Sequence, residues 1–298
     1  MGHNIGIFSQ TNNIDTLHER IATAAAQGFR SFWMPQIFGV EVLTALSVAA
    51  RDVPNIRVGS AVIPIQPRHP MNLAQQALTA NEILGDRLDL GIGLSHQMVT
   101  EGMWGISWKR SFTHMREYLD ALMPLLNKEQ VSVSGDIVTC RGGLDGFGTT
   151  PKVMLAALGP KMLGLAGSVT DGTVLWMTGP QTIASHIAPT INEAADTAGR
   201  PAPEVVAALP VCVTNDVDVA RARAAEEFAI YGQLPSYRAM MDREGVDGPG
   251  GLAVVGTAEQ VQEQIVAVLD AGATTFVGSE FGVGDEVDAT RAALQDLL

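Results

Sequence analysis

Residues 151–180, PKVMLAALGPKMLGLAGSVTDGTVLWMTGP, follow the order strand, turn, helix, strand. The apolar run VMLAAL has the length of a buried strand, and Gly159-Pro160 interrupts it. Pro160 then stands near the first helical position, where its missing N–H costs little. The dipeptide DG ends the helical pattern, and TVLW begins a second buried strand. The segment therefore predicts one strand–helix–strand unit.

The turn in this unit has the features of an anion site. The N–H groups of Gly159, Lys161 and Met162 have no acceptor within a helix that begins at Pro160. Free amides at a helix start attract anions, and Lys161 adds a positive charge. The turn therefore predicts a phosphate site.

The same alternation continues along the whole chain. Strands are predicted at residues 4–9, 31–34, 56–63, 87–93, 153–158, 173–176, 205–213 and 274–279. Helices are predicted at residues 14–27, 40–50, 71–84, 111–126, 162–166, 180–198, 217–229 and 258–271. Eight buried strands alternating with helices predict an α/β protein with a (β/α)8 TIM barrel. A doubly wound open sheet that binds a dinucleotide typically has a glycine-rich fingerprint after the first strand, and this sequence has none there.

Composition favours one large soluble domain, spanning residues 1–298, in the cytoplasm. The chain has 298 residues, 46% of them hydrophobic, and a net charge of −13, which argues against nucleic acid or an anionic membrane as a partner. No apolar run approaches membrane-spanning length, and the start has no signal-peptide pattern. Two cysteines are too few for a disulfide framework, and no HxxxH or CxxC pair suggests a metal site.

Two segments interrupt the barrel pattern. Residues 129–143 alternate around Ser134-Gly135-Asp136, which predicts an inserted hairpin that covers the barrel or packs on it. Residues 231–251 mix aromatic, basic, glycine and proline residues. This second segment is interpreted as a lid or substrate-facing loop, with a surface excursion containing one short helix as the alternative.

Four stretches resemble the luciferase-like monooxygenase superfamily, and within it the actinobacterial coenzyme F420-dependent oxidoreductases. They are GSAVIP at residues 59–64, RLDLGIGLSH at 87–96, AALGPKMLGLAGSVTDGTVLWMTGP at 156–180 and PVCVTNDVDVAR at 210–221. The resemblance covers essentially the whole chain and implies a luciferase-like TIM barrel that binds F420. Members are often dimers, so it also allows a homodimer.

The resemblance also implies where the cofactor binds. In this family the deazaflavin ring leans against a bulge on the third strand that contains a non-prolyl cis peptide, and the phosphate lies at the turn after the fifth strand. The cofactor-binding residues implied are Ser60, Ala61, Val62, Leu94, Ser95, Ala156, Ala157, Gly159, Pro160 and Lys161. The acidic chain needs local basic residues for the oligoglutamate tail of F420, and the candidates are Lys109, Arg110, Arg116 and Lys161.

His96 is the candidate catalytic residue. It follows the fourth predicted strand, at the barrel end where catalytic side chains collect, and histidine titrates near neutral pH. The candidate substrate pocket consists of Trp33, Gln36, His69, Trp176 and Met177. Such a pocket suits an uncharged or weakly polar substrate. Sugar-phosphate dehydrogenases of the superfamily carry an Asp-His pair where this chain has Met34-Pro35, which disfavours glucose 6-phosphate.

The function expected from the resemblance is hydride transfer between the deazaflavin C5 and a small organic carbonyl, alcohol or activated alkene. One alternative is an FMNH2-dependent luciferase-like monooxygenase, which would use FMN and oxygen. A second alternative is a non-catalytic F420-binding protein. Oxygen uptake with FMNH2, and substrate-dependent oxidation of reduced F420, separate the three.

Overall fold

The computed structural model describes residues 2–298, in which parallel strands close into a barrel surrounded by helices. The strands are β1 (Ile5–Phe8), β2 (Ser31–Met34), β3 (Arg57–Ser60), β4 (Ile63–Pro64), β5 (Leu88–Gly93), β6 (Val131–Ser134), β7 (Thr139–Gly142), β8 (Lys152–Leu155), β9 (Gly172–Trp176), β10 (Glu204–Val213), β11 (Val254–Gly256) and β12 (Thr275–Glu280).

The helices flank this barrel and also cover its carboxyl end. They are α1 (Ile14–Ala26), α2 (Val42–Ala49), α3 (Pro70–Ile83), α4 (Gln97–Gly102), α5 (Ser111–Leu126), α6 (Pro160–Val169), α7 (Pro180–Thr182), α8 (Ala188–Thr197), α9 (Val217–Glu227), α10 (Ala229–Gln233), α11 (Pro235–Glu244), α12 (Pro249–Leu252), α13 (Ala258–Asp270) and α14 (Asp285–Gln295). A π-helical turn, Ile183–Ile187, joins α7 to α8.

The hydrogen-bonded order of the barrel is β1, β2, β3, β5, β8, β9, β10, β12 and back to β1, every pair being parallel. Short β4 continues the position of β3 and pairs with β5, and β11 pairs with the end of β10. The predicted (β/α)8 barrel is therefore confirmed, and each predicted strand lies in its wall. Among residues 2–298, no helix is both long and apolar enough to cross a bilayer.

The helix predictions differ from the structure at several places, including the short helix α4, which was not predicted. The predicted helix 162–166 is longer, because it begins at Pro160 and continues to Val169 through a glycine-containing stretch. Helix α14, which follows the last strand, was missed, whereas the predicted helix 258–271 is confirmed as α13. The sequence of α14 is mostly polar and buries only Thr290, Ala293 and Leu294, so its apolar periodicity is weak.

The predicted hairpin at 129–143 is confirmed as the antiparallel pair β6–β7. Its turn is fixed by the carboxylate of Glu117 in α5, which accepts hydrogen bonds from the amides of residues 136, 137 and 138 at 2.9–3.1 Å. Burial opposes the charge of Glu117, but these amides hold its pKa below the usual value. The hairpin thus packs on the outside of α5.

The contact between β3 and β5 is the tightest backbone approach in this part of the wall. A Cβ at Gly91 would lie 1.8 Å from the carbonyl oxygen of Ser60, and one at Gly93 would lie 2.7 Å from Cγ2 of Val62. The Ser60 hydroxyl donates to the Gly91 carbonyl and accepts from the Gly91 amide, both at 2.9 Å. The peptide bond between Ala61 and Val62 is cis, at the place that the resemblance implies.

Replacing Gly91 with alanine is expected to destabilise the protein by about 3 kcal/mol, because the new methyl group meets a backbone oxygen that cannot rotate away. Denaturant unfolding measures the change. Gly164→Ala in α6 is the control, since no atom lies within 4 Å of its Cβ position, and it should be neutral or slightly stabilising. Equal stability of Gly91→Ala and wild type would contradict the packing described.

Candidate active site

An apolar surface lies at the carboxyl ends of the barrel strands. Inside the barrel a buried cluster includes Trp33 of β2 and Met154 of β8, and four partly buried residues pack on this cluster: Phe8, Ala61, Val62 and Trp176. The rings of Phe8 and Trp176 stack at 5.3 Å between centroids. We call these four residues the floor. A partly exposed, mostly flat apolar floor can support an aromatic ring.

Helices α10–α12, residues 229–252, form what we call the mouth segment. The Trp176 ring contacts Tyr231 at 5.8 Å, Tyr231 contacts Tyr237 at 5.0 Å, and Tyr237 lies 6.1 Å from the ring of His96. The aromatic series therefore runs from the floor through the mouth segment to His96. Burial raises the pKa of both tyrosines, so their hydroxyls are protonated near neutral pH.

Trp176 also carries an unpaired polar atom. Its Nε1 is buried and has no acceptor in hydrogen-bond geometry among residues 2–298. A buried unpaired donor costs free energy, and such groups in native proteins usually have a functional or structural reason. Burial raises the pKa of Tyr231 and the Trp176 N–H opposes that rise, so the Tyr231 hydroxyl is the acceptor beside this donor.

His96 lies directly after β5, in the residue that precedes α4. Its main-chain oxygen accepts from the amides of Val99 and Thr100, both at 2.9 Å, which fixes the backbone. Within the part of the chain that the structure describes, its imidazole makes no hydrogen bond. Burial lowers its pKa from the ordinary value of 6.5, so the ring is mainly neutral at pH 7. Neutral imidazole can accept a proton and its conjugate acid can return one.

A cavity of about 670 Å³ adjoins His96. It lies between α4, the following loop and the start of α11. Its lining residues are His96, Gln97, Met98, Glu101, Gly102, Trp108, Leu234, Pro235 and Ser236. A volume of this order matches small-molecule sites in proteins.

The helix start after β8 is open. The amides of Gly159, Lys161 and Met162 make no hydrogen bond with any residue from 2 to 298, as the sequence predicts, and no atom lies within 4 Å of a Cβ placed on Gly159. The carbonyl of Leu158, which could accept from Met162, is instead bonded at 2.8 Å to Nε2 of His186 in the π-helical turn. These amides can therefore receive an anion.

The next strand ends in the same Gly-Pro pair, but there the helix start is occupied. The Glu244 carboxylate of α11 accepts from the amides of Gln181 and Thr182, at 3.1 and 2.7 Å, and from the Thr182 hydroxyl at 2.7 Å. A Cβ on Gly179 would lie 2.4 Å from this carboxylate, so glycine permits the contact. Glu244 thus fixes the mouth segment to the barrel. Of these two helix starts, the one at Gly179 is occupied by this carboxylate and the one at Gly159 is open.

The sequence-predicted cofactor residues divide into two groups. Ala61, Val62, Leu94, Ser95 and Ala156 are partly exposed around the floor, and Gly159, Pro160 and Lys161 are exposed at the open turn. The structure differs from the prediction at two positions. Ser60 is fully buried with its hydroxyl bonded to β5, and the Ala157 side chain is buried in the core. Neither side chain is available to a ligand.

The predicted substrate pocket needs a larger correction, because only Trp176 of its five residues lies on the floor. Met177 is fully buried, and Trp33 is 2% exposed and donates through Nε1 to the Ser31 hydroxyl at 2.9 Å. Gln36 accepts from the Val42 amide. His69 precedes α3. One of its ring nitrogens accepts a hydrogen bond from the Met71 amide and the other bonds the Thr139 carbonyl, so both are engaged with the backbone.

Sequence reasoning missed the residues that line the cavity opposite His96. Glu101 and Trp108 lie in a short helix and a loop that the strand–helix alternation does not predict. The signal that could have found them is the pair Trp104 and Trp108, two large aromatics in an otherwise polar stretch directly after the strand that ends near His96. Of the basic candidates for the cofactor tail, Arg110 is already paired with Asp136 at 2.5 Å.

The described residues include no group of three histidine, cysteine, aspartate or glutamate side chains arranged to hold a metal ion. The arrangement at the mouth of the barrel is therefore an apolar floor, an anion-accepting turn, a neutral histidine and an adjoining cavity. The floor and the turn are close, because Val62 and Ala156 both contact the Cβ position of Gly93.

Comparison with known proteins gives a family and several relatives. The family model described as luciferase-like monooxygenase matches residues 2–275. The chain is 29% identical over 279 residues to a 5,10-methylenetetrahydromethanopterin reductase of Methanolobus tindarius, with 92% of this chain and 84% of that protein aligned.

Solved structures show the same fold. The coenzyme F420-dependent tetrahydromethanopterin reductase of Methanopyrus kandleri superposes with a TM-score of 0.81 at 21% identity, covering 99% of this chain and 97% of that one. An F420-dependent secondary alcohol dehydrogenase, solved in complex with an F420–acetone adduct, gives 0.80 at 18% identity, covering 100% and 98%.

Removing the Glu244 carboxylate is expected to loosen the mouth segment. In Glu244→Ala, amide hydrogen exchange in residues 235–244 should quicken about tenfold or more, because three hydrogen bonds to one charged group are lost. Asp242→Ala on the same helix is the control, since it removes only an exposed pair with Arg238. Unchanged exchange in Glu244→Ala would show that other contacts hold the segment.

Proposed function

The chain belongs to the luciferase-like monooxygenase family, and we propose that it is a coenzyme F420-dependent oxidoreductase acting on a small organic carbonyl, alcohol or activated alkene. The observation that carries this proposal is the open Gly159 turn beside the floor. It combines three unbonded amides, the charge of Lys161 and a partly exposed apolar surface, which suit a flat ring that carries a phosphate.

The residues present fit that cofactor. Ala61 and Val62 would support its ring beside the stacked Phe8 and Trp176 side chains. The amides of Gly159, Lys161 and Met162 would hold its phosphate. When bound in its reduced form, F420 supplies a hydride. Sequence relatives whose names describe F420-dependent enzymes favour this cofactor over FMN.

The chain's own task is to orient the substrate and manage one proton. Neither ring nitrogen of His96 has a protein partner in residues 2–298, and the ring adjoins the cavity. The imidazole can thus take the proton from an alcohol hydroxyl or return it to a carbonyl oxygen. We infer that the mouth segment acts as a lid, since Tyr231 and Tyr237 bury the side of the site that faces His96 and exclude water there.

The lowered pKa of His96 sets the expected pH dependence. Alcohol oxidation needs the neutral ring, so its rate should persist below pH 6.5 and fall only as the pH drops through the lowered pKa. Carbonyl reduction needs the protonated ring, so its rate should fall as the pH rises through the same value. Steady-state kcat/KM profiles in both directions measure this.

The variant His96→Asn tests the assignment. Its kcat should drop about 100-fold or more, and the pH dependence that belongs to His96 should disappear in both directions. A His96→Asn enzyme that keeps the wild-type profile would show that another group carries the proton.

The phosphate turn is tested by comparing F420 with the same deazaflavin chromophore lacking phosphate and glutamate. Lys161→Gln should weaken F420 binding about fivefold, the effect of one exposed charge near a phosphate, and should leave the truncated chromophore unaffected. Fluorescence titration of the purified protein measures both dissociation constants.

Lys152→Gln is the matched control, because Lys152 lies at the opposite end of the strand that leads into the turn. It should change neither constant. Equal weakening of both ligands by Lys161→Gln, or no weakening of either, would place the phosphate elsewhere.

A further inference from the structure

We propose that the substrate of this site is uncharged or cationic with an apolar body, and that Glu101 is the specificity-determining residue that excludes anions. The inference deepens the proposed function and rests on it for the identity of the reaction. It concerns the cavity beside His96, whose lining the sequence did not predict.

The residues that line the cavity carry one negative charge and no positive charge. Of the nine lining residues, only Glu101 carries a full charge at neutral pH, since burial lowers the pKa of His96 and keeps that ring mainly neutral. The nearest cation is Lys109, which contributes to lowering the pKa of Glu101 but is not among the lining residues. A phosphate or carboxylate entering the cavity therefore meets like charge and no lining cation.

The Glu101 carboxylate is solvent-exposed, and two hydrogen bonds orient it at the cavity wall. It accepts a hydrogen bond from Gln97 Nε2 at 2.8 Å and another from the Trp108 amide at 2.9 Å. These bonds lower its pKa, so the group stays ionised over the physiological range. Because the carboxylate is exposed, solvent screens its charge, so the expected discrimination against anions is modest and weakens as salt is added.

The remaining lining supplies apolar contact. Met98 of α4 is 63% exposed, and Trp108, Leu234 and Pro235 complete the apolar part of the lining. Together they can bury an apolar or ring-shaped substrate body, while Gln97 and Ser236 offer neutral hydrogen-bonding groups. The phosphate and glutamates of F420 do not suit such a cavity, which leaves it for the substrate.

The test uses three probes with one reactive group: benzaldehyde, 4-carboxybenzaldehyde and 4-(trimethylammonio)benzaldehyde. Each is titrated into the cofactor-free protein, and binding is followed by quenching of tryptophan fluorescence. Trp108→Phe identifies the part of the signal that comes from the cavity. The neutral and cationic probes should bind, and the carboxylate probe should bind about fivefold more weakly than the neutral one in 50 mM salt.

Two variants locate the effect in Glu101. Glu101→Gln keeps an acceptor for the Trp108 amide and should bring the anionic and neutral probes within about twofold of one another. The exchange Gln97→Glu with Glu101→Gln returns one carboxylate to the same wall and should restore the discrimination. In wild type the discrimination should shrink in 0.5 M salt, whereas binding of the neutral probe should not weaken.

The proposal is overturned if wild type binds the carboxylate probe as well as the neutral one, if Glu101→Gln leaves the ratio unchanged, or if no probe binds at millimolar concentration. These measurements need no cofactor. If the protein does not bind F420 but discriminates between the probes, the proposed function is wrong and the charge selectivity remains. If it binds F420 but does not discriminate between the probes, only the charge selectivity is wrong.

Discussion

The close approach of β3 and β5 is the constraint on which the site depends. Because Gly91 has no side chain, the Ser60 carbonyl can lie against its Cα, and Gly93 leaves room for Val62 and Ala156. That contact places the exposed part of the floor beside the strand that leads to the Gly159 turn. The chain of β5 then continues directly to His96. One backbone contact thus brings together the apolar floor, the open Gly159 turn and His96, the three parts of the proposed site.

Electrostatics separates the mouth of the barrel into two regions. The chain has a net charge of −13, yet the free amides at Gly159, Lys161 and Met162 and the charge of Lys161 make this turn locally suited to an anion. The Glu244 carboxylate occupies the neighbouring helix start, which has the same Gly-Pro sequence. Its hydrogen bonds there hold the mouth segment against the barrel. Glu101 faces the adjoining cavity. The protein thus has separate places for an anionic group and for a neutral or cationic one.

Much of the fold could be predicted from the sequence, because each barrel strand is a short apolar run bounded by turn residues. The sequence also placed the Gly159 turn and His96 at the carboxyl end of the barrel, since chain order alone puts the ends of parallel strands at one end. Met177 and Trp33 could not be placed, because the direction of a side chain at a strand end depends on local twist and bulges. Glu244 was missed because its partners lie 62 and 63 residues away, a contact that no local pattern records.

The measurement that tests the central claim most directly is a pair of binding titrations of the purified protein, one with oxidised F420 and one with FMN, under identical conditions. The account predicts micromolar or tighter binding of F420 and much weaker binding of FMN. A preference for FMN would contradict it and favour a flavin monooxygenase. Binding of neither would show that the floor and the Gly159 turn do not form a cofactor site.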